Sequence, residues 1–127
     1  MRYFYMNGYL WRVYFVDPDS DLLVDRTGTL TLATTDPTTY CVYLSDQLEG
    51  KKLHTVLIHE LGHCTMISFH LLDEIHRMVK PKYWIEAEEA VCNFIANYGL
   101  MIFRTAYDIL GESAWGYVAK ELERFVA

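Results

Sequence analysis

The chain has 127 residues, a length that predicts a single domain over residues 1–127 with a core large enough to fold without disulfides. Its formal net charge is −6 and no basic stripe is visible, so nucleic acid is not expected as a partner. No run of about 18 apolar residues occurs, and we therefore expect no membrane-spanning segment and no membrane partner.

The three cysteines are an odd number with no framework spacing, which indicates free thiols rather than disulfides. Reduced thiols are typical of the cytosol. Residues 1–10 also lack the long apolar run and the small-residue cleavage site of a signal peptide. These features together predict a cytoplasmic protein.

Short stretches rich in β-branched and aromatic residues predict strands in the first third of the chain. The predicted strands are residues 9–16, 22–24, 29–33 and 40–45. Residues 34–39 are polar and include Pro37, so they are predicted as a loop. We expect the strand at 40–45 to be an exposed sheet edge, to which an extended peptide could add as a further strand.

The rest of the chain has the apolar periodicity of helices. One helix is predicted from about residue 51 to at least 66 and at most 78, because Pro81 prevents further extension. A second helix is predicted over 83–103, and Gly111 separates it from a last helix over 112–125. Strands followed by helices predict an α+β fold, with three helices on one side of a small antiparallel or mixed sheet.

The first predicted helix contains the pattern His-Glu-x-x-His, from His59 to His63. Residues four apart on a helix differ by about 40° in direction and about 6 Å in rise, so the two imidazoles can reach one zinc ion. Glu60 is rotated by about 100° from His59, beside the metal, where a carboxylate can take a proton from a zinc-bound water. The alternative is an ordinary amphipathic helix that carries two histidines.

A zinc site that performs chemistry usually has three protein ligands, so a third ligand is needed. His70 follows His63 by about 10 Å along the helix axis and is too far to share the metal. The pattern with a third histidine on the same helix requires Gly and His where this chain has Met66 and Phe69. The third ligand must therefore come from another element.

Acidic residues at the start of the next helix are the remaining candidates, because an antiparallel helix would bring a carboxylate back to the metal. They are Glu86, Glu88 and Glu89. On a helical wheel Glu88 lies nearer to the apolar stripe that includes Val91 and Ile95, and Glu89 lies on its margin. The pattern alone leaves all three open, and a solvated acidic face is the alternative.

Residues 89–96 read Glu-Ala-Val-Cys-Asn-Phe-Ile-Ala. This resembles the second motif of the gluzincins, Glu-x-x-small-(Asp or Asn)-x-apolar-Ala. Over residues 40–96 the chain resembles the small ImmA/IrrE-like peptidases and related zincins of phages and mobile elements. The resemblance implies a minimal zincin fold, Glu89 as the third zinc ligand, and Asn93 beside His59, where it orients the ring.

These residues predict a zinc metallopeptidase that acts on a protein or peptide substrate, with His59, His63 and Glu89 on Zn²⁺ and Glu60 as general base. The alternative is a zinc-containing module of a phage or mobile element that binds a partner, such as a regulator, without cleaving it. A purely structural zinc site is a third reading. The substrate, the oligomeric state and the residue that stabilises the oxyanion are left open by the sequence.

Overall fold

A computed structural model describes residues 2–115 of the chain. Four strands are followed by three α-helices. The strands are β1 (Arg2–Met6), β2 (Tyr9–Val16), β3 (Ala33–Asp36) and β4 (Cys41–Ser45), and the helices are α1 (Gly50–Ser68), α2 (Leu72–Arg77) and α3 (Trp84–Leu110). Short 3-10 turns lie at Asp21–Leu23, Pro81–Tyr83 and Gly111–Trp115. The predicted α+β class is confirmed.

The four strands form one mixed sheet in the order β1-β2-β4-β3. β2 and β4 are parallel, and the two outer pairs, β1 with β2 and β3 with β4, are antiparallel. The expectation that residues 40–45 form an edge is therefore wrong, because β4 lies between β2 and β3. On that side of the sheet the edge strand is β3.

Two strand predictions fail around the segment that precedes β4. Residues 22–24 and 29–32 are not strands: a 3-10 turn occupies Asp21–Leu23, Val24 and Leu30 form an isolated bridge, and of the predicted strand 29–33 only Ala33 belongs to β3. The predicted loop at 34–39 instead contains most of β3. Its β-branched threonines pair with β4, and Pro37, which has no N–H to donate, follows the last paired residue.

Strand β1 was not predicted, although the sequence carries its signal. The turn between β1 and β2 is Asn7-Gly8, and both residues have positive φ, 49° and 81°. A two-residue turn of this kind matches the right-handed twist of a hairpin, which is why Asn-Gly is common there. The predicted strand at residues 9–16 coincides with β2.

The helices follow the predicted order but differ in their ends. α1 stops at Ser68, because His70 adopts φ 57° and turns the chain into the separate helix α2, so a single helix reaching residue 78 is wrong. α3 continues to Leu110 and ends at Gly111, which has φ 68°. Of the predicted last helix, residues 112–115 are 3-10 turn, and residues 116–125 lie outside the described part of the chain.

The core lies between the sheet and α1. Its fully buried members include Trp11 of β2, Val42 and Leu44 of β4, and Cys64 of α1. The Trp11 indole N–H donates a 2.8 Å hydrogen bond to Ser68 Oγ, so the polar edge of this buried ring is satisfied. α1 contacts both the sheet and α3, and it thereby couples the strands to the last long helix.

The closest approach of α3 to α1 is made possible by Gly62. A Cβ atom at this position would lie 3.1 Å from Cys92 Sγ and 3.4 Å from Cys92 Cα. Cys92 is fully buried, so its side chain has little room to move away. Gly62 therefore sets the separation of the two helices.

Among residues 2–115, no helix has the length and apolar character needed to cross a membrane.

Gly62→Ala is expected to destabilise the protein, although alanine favours a helix over glycine by up to about 1 kcal/mol. The added methyl group meets Cys92, and overpacking of this kind costs about 1–3 kcal/mol. We expect a net loss of about 1 kcal/mol in the free energy of unfolding, measured by urea denaturation.

Gly99→Ala is the matched control, because Gly99 lies in the interior of α3 and its added Cβ meets only Ile95 of the same helix, at 3.4 Å. It should raise the free energy of unfolding by up to about 1 kcal/mol. Equal stabilisation by both substitutions would contradict a tight contact at Gly62.

Candidate functional site

His59 and His63 lie one turn apart on α1, and their side chains converge. The two Nε2 atoms are 3.2 Å apart. Two nitrogen ligands of a tetrahedral zinc ion, each about 2.0–2.1 Å from it, lie about 3.3 Å apart. The pair therefore has the separation that a shared metal ion requires.

Glu89 of α3 completes a group of three donors. Its Oε2 atom is 2.9 Å from His59 Nε2, and its Oε1 atom is 3.3 Å from His63 Nε2. The hydrogen bonds from His59 and then from His63 hold the pKa of the Glu89 carboxyl far below its usual range. The bond to Glu89 in turn raises the pKa of His59, against the lowering effect of burial. The two imidazoles and the carboxylate thus meet at one point, where their donor atoms could bind a divalent cation.

Cys92 is the other donor near the histidines. Its Sγ atom and the two histidine donor atoms all lie within 4.8 Å of one another. Burial raises the pKa of the Cys92 thiol to about 12, so the free thiol is protonated at neutral pH, whereas a bound divalent cation would favour the thiolate. Glu89 contacts both imidazoles directly. The candidate ligands are therefore His59 and His63, with either Glu89 or Cys92 as the third protein ligand.

Glu60 lies beside these donors rather than among them, as its rotation on the helix predicts. It is buried, at 6 % exposure, and its Oε2 atom accepts a 2.6 Å hydrogen bond from Thr35 Oγ1 of β3. Its negative charge contributes to the raised pKa of His59, after the larger effect of Glu89. Glu60 is therefore a carboxylate at the rim of the donor group, held in place from the sheet side.

The other two acidic candidates lie elsewhere. Glu88 is buried but points to different partners: its Oε1 atom is 3.0 Å from Arg26 Nη1, and its Oε2 atom is 2.9 Å from His76 Nε2. Glu86 is exposed on the first turn of α3. The helical wheel correctly indicates that Glu88 is buried, but the contacts place Glu89 with the histidines.

Asn93, one turn after Glu89, makes a minor contribution to the raised pKa of His59, after Glu89 and the nearby charges. The role in orienting His59 that the gluzincin resemblance implies for Asn93 stays a prediction. Sequence reasoning missed Thr35, Arg26 and His76. They carry no motif, and they meet the site only because the chain folds back over long sequence separations.

The donors open into a cavity of about 750 Å³ between α1, α3, β3 and the segment that precedes β3. Its lining combines the polar group around His59 and Glu60 with apolar side chains such as Leu22, Val24 and Leu32. Each of these three apolar side chains is more than two-fifths exposed. A cavity of this size, apolar with a few convergent polar groups, is typical of a substrate site.

Comparisons of the chain with protein-family models, with curated proteins and with solved structures give no match. The relation to gluzincins therefore stays a prediction that depends on the two motifs.

The donor set can be tested with Co²⁺, which takes the place of zinc and reports its ligands by absorption. We expect the Co²⁺ protein to lack a thiolate-to-cobalt charge-transfer band, and Cys92→Ser to bind Co²⁺ as the wild type does. Glu89→Gln should weaken binding by more than the roughly 10–100-fold that is typical when an outer-shell partner is lost.

Glu86→Gln, an exposed substitution on the same helix, is the control and should leave Co²⁺ affinity unchanged. A charge-transfer band that disappears in Cys92→Ser would show instead that Cys92 is a ligand.

Proposed function

We propose that the protein is a zinc-dependent metallopeptidase that hydrolyses a peptide bond in a protein substrate. The observation that carries the proposal is the convergence of His59, His63 and Glu89 on one point beside Glu60. A catalytic zinc ion usually has three protein ligands with nitrogen or oxygen donor atoms, and its fourth coordination position is open to water or substrate. Glu60, a buried carboxylate that accepts a hydrogen bond from Thr35 and from none of the three donors, is available for proton transfer.

A zinc ion held by these donors would act as a Lewis acid, polarising a carbonyl group and acidifying a water molecule. Glu60 accepts one proton from the attacking water as the water oxygen bonds to the carbonyl carbon and the carbonyl π electrons move onto the carbonyl oxygen. When the C–N bond breaks, Glu60 returns the proton to the amine nitrogen. Delivery of this proton ionises Glu60 again, and the carboxylic acid product loses its remaining proton to solvent, so that the final products are a carboxylate and an amine.

Thr35 orients the Glu60 carboxylate through a hydrogen bond. Its hydroxyl occupies Oε2 of the carboxylate at 2.6 Å, which fixes the group and leaves Oε1 to take the proton. The bond also ties α1 to β3, the edge strand next to the cavity. Pairing of an extended peptide with the outer side of β3 would carry it past the donor group, since main-chain hydrogen bonds give affinity without demanding one sequence.

A zinc-containing module that binds a protein without cleaving it is the second candidate. The observation that favours it is the outer face of α3, where Phe94, Tyr98 and Met101 are each more than half exposed. Contiguous apolar surface is typical of a protein-binding site. The buried position of Glu60 favours the peptidase, because a site that only holds a metal has no chemical need for it.

The substitution Glu60→Gln distinguishes the peptidase from the binding module. Glutamine keeps the size and can still accept the hydrogen bond from Thr35, but it cannot take the proton. We expect cleavage of a fluorogenic peptide library by the zinc-loaded protein to fall by about 10²–10⁴-fold, with unchanged zinc content. Glu86→Gln is the matched control and should cleave as the wild type does.

A Glu60→Gln protein with the full hydrolytic rate would refute the mechanism. If the zinc-loaded wild type cleaves no member of the library or of a set of unfolded proteins, the binding module becomes the better account.

A further inference from the structure

Arg26 is a cation beside the candidate metal donors. Among the described residues that line the cavity, it is the single arginine or lysine. Its Nη2 atom lies 3.6 Å from Oε1 of Glu89, the oxygen that faces His63. A positively charged group therefore lies next to the candidate metal ligands.

The backbone at Arg26 is held by a tight turn. Asp25 Oδ1 accepts three hydrogen bonds, from the Thr27 amide at 2.9 Å, from the Thr27 hydroxyl at 2.6 Å and from the Thr29 amide at 3.0 Å. Gly28 closes the turn with φ 84°, a value that favours glycine. The turn presents Arg26 from a rigid base.

The guanidinium is also anchored at its far end. Nη1 donates a 3.0 Å hydrogen bond to Glu88, which is buried at 5 % exposure and is bonded on its other oxygen to His76. The His76 ring stacks on Trp84, with the ring centroids 4.4 Å apart. The Trp84 indole N–H also donates a 3.0 Å hydrogen bond to the backbone carbonyl of His76. This chain of contacts fixes Arg26 in one position, which is the preorganisation that electrostatic catalysis needs.

Arg26 has hydrogen-bonding capacity that these contacts do not use. A guanidinium has five N–H donors, and one is taken by Glu88. The side chain is 46 % exposed and lines the cavity, so the other donors are accessible to a ligand. Because Glu88 already balances its charge, Arg26 suits a group that is neutral on arrival and gains negative charge during the reaction.

Tyrosine is the usual alternative for this task, and the cavity contains Tyr43. The Tyr43 ring stacks on Tyr14, with the ring centroids 5.7 Å apart. It is engaged with the sheet, whereas Arg26 contacts the donor group itself.

We propose that Arg26 is the oxyanion-binding residue: it donates a hydrogen bond to the carbonyl oxygen of the scissile peptide as that oxygen gains the π electron pair. Glu88 and His76 act as positioning residues through Arg26. The inference depends on the proposed peptidase function, and it names the group that the sequence left open.

Two ligands distinguish the contribution of the metal to binding from the contribution of Arg26. Acetohydroxamate is small and needs only the metal and Glu60, whereas a phosphinic dipeptide imitates the tetrahedral carbon and presents a second charged oxygen. In calorimetric titrations of the zinc-loaded protein, Arg26→Ala should bind the phosphinic dipeptide about 10²-fold more weakly, the loss typical of one oxyanion donor. Its affinity for acetohydroxamate should be nearly unchanged.

Arg77→Ala, which removes an exposed arginine paired with Glu74 on α2, is the control and should change neither affinity. Arg26→Lys keeps a counter-charge for Glu88 if Arg26→Ala is unstable; it should also lose affinity for the phosphinic dipeptide, because lysine lacks the planar fork. Glu88→Gln should weaken the same probe selectively.

Equal phosphinic dipeptide affinity in the wild type, Arg26→Ala and Arg26→Lys would overturn the assignment of Arg26 and leave the metal site intact. Failure of the wild type to bind acetohydroxamate when zinc is present would instead count against the peptidase itself.

Discussion

The contact between Gly62 and Cys92 is the constraint on which the candidate site depends. It lies on the helix turn that also carries His59 and His63, and Glu89 precedes Cys92 by three residues on the facing helix. With no side chain at residue 62, α3 comes close enough for one carboxylate to reach two imidazoles, at 2.9 and 3.3 Å. A separation wider by about 1 Å would take both contacts beyond hydrogen-bonding distance. The distances between Glu89 and the two imidazoles therefore depend on how closely α1 and α3 pack at Gly62.

Three carboxylates lie in this small region, and their partners give each a different role. Glu89 faces two imidazoles, Glu88 faces Arg26 and His76, and Glu60 faces a neutral hydroxyl. Burying an ionised group without a partner is costly, so each pairing is required for stability as well as for placement. Glu60 is the carboxylate whose partner is neutral, and this supports the proposal that Glu60 is the general base.

The sequence identifies those parts of the molecule that depend on local spacing. The His-Glu-x-x-His pattern places His59, Glu60 and His63 correctly relative to one another, because their relation is a property of one helix. Glu89 required a second motif, since the helical wheel favoured Glu88, and burial alone does not reveal which partner a buried acid meets.

The parts that were missed or misplaced depend on tertiary packing. β3 has the sequence Ala-Thr-Thr-Asp, whose polar part was predicted as a loop, and pairing with β4 makes it a strand. Arg26 reaches Glu88 across 62 residues of sequence, and Thr35 reaches Glu60 across 25. No periodicity or motif encodes such contacts in a single sequence.

The number of zinc ions bound per chain is the most direct test of the candidate zinc site, measured by inductively coupled plasma mass spectrometry on protein purified without added metal. We expect about one zinc ion per chain, as is usual for a site with three protein ligands and one open position. We also expect loss of that zinc from a variant in which His63 is replaced by glutamine. Wild-type protein that contains no zinc, and that takes up none when zinc is added, would contradict the account.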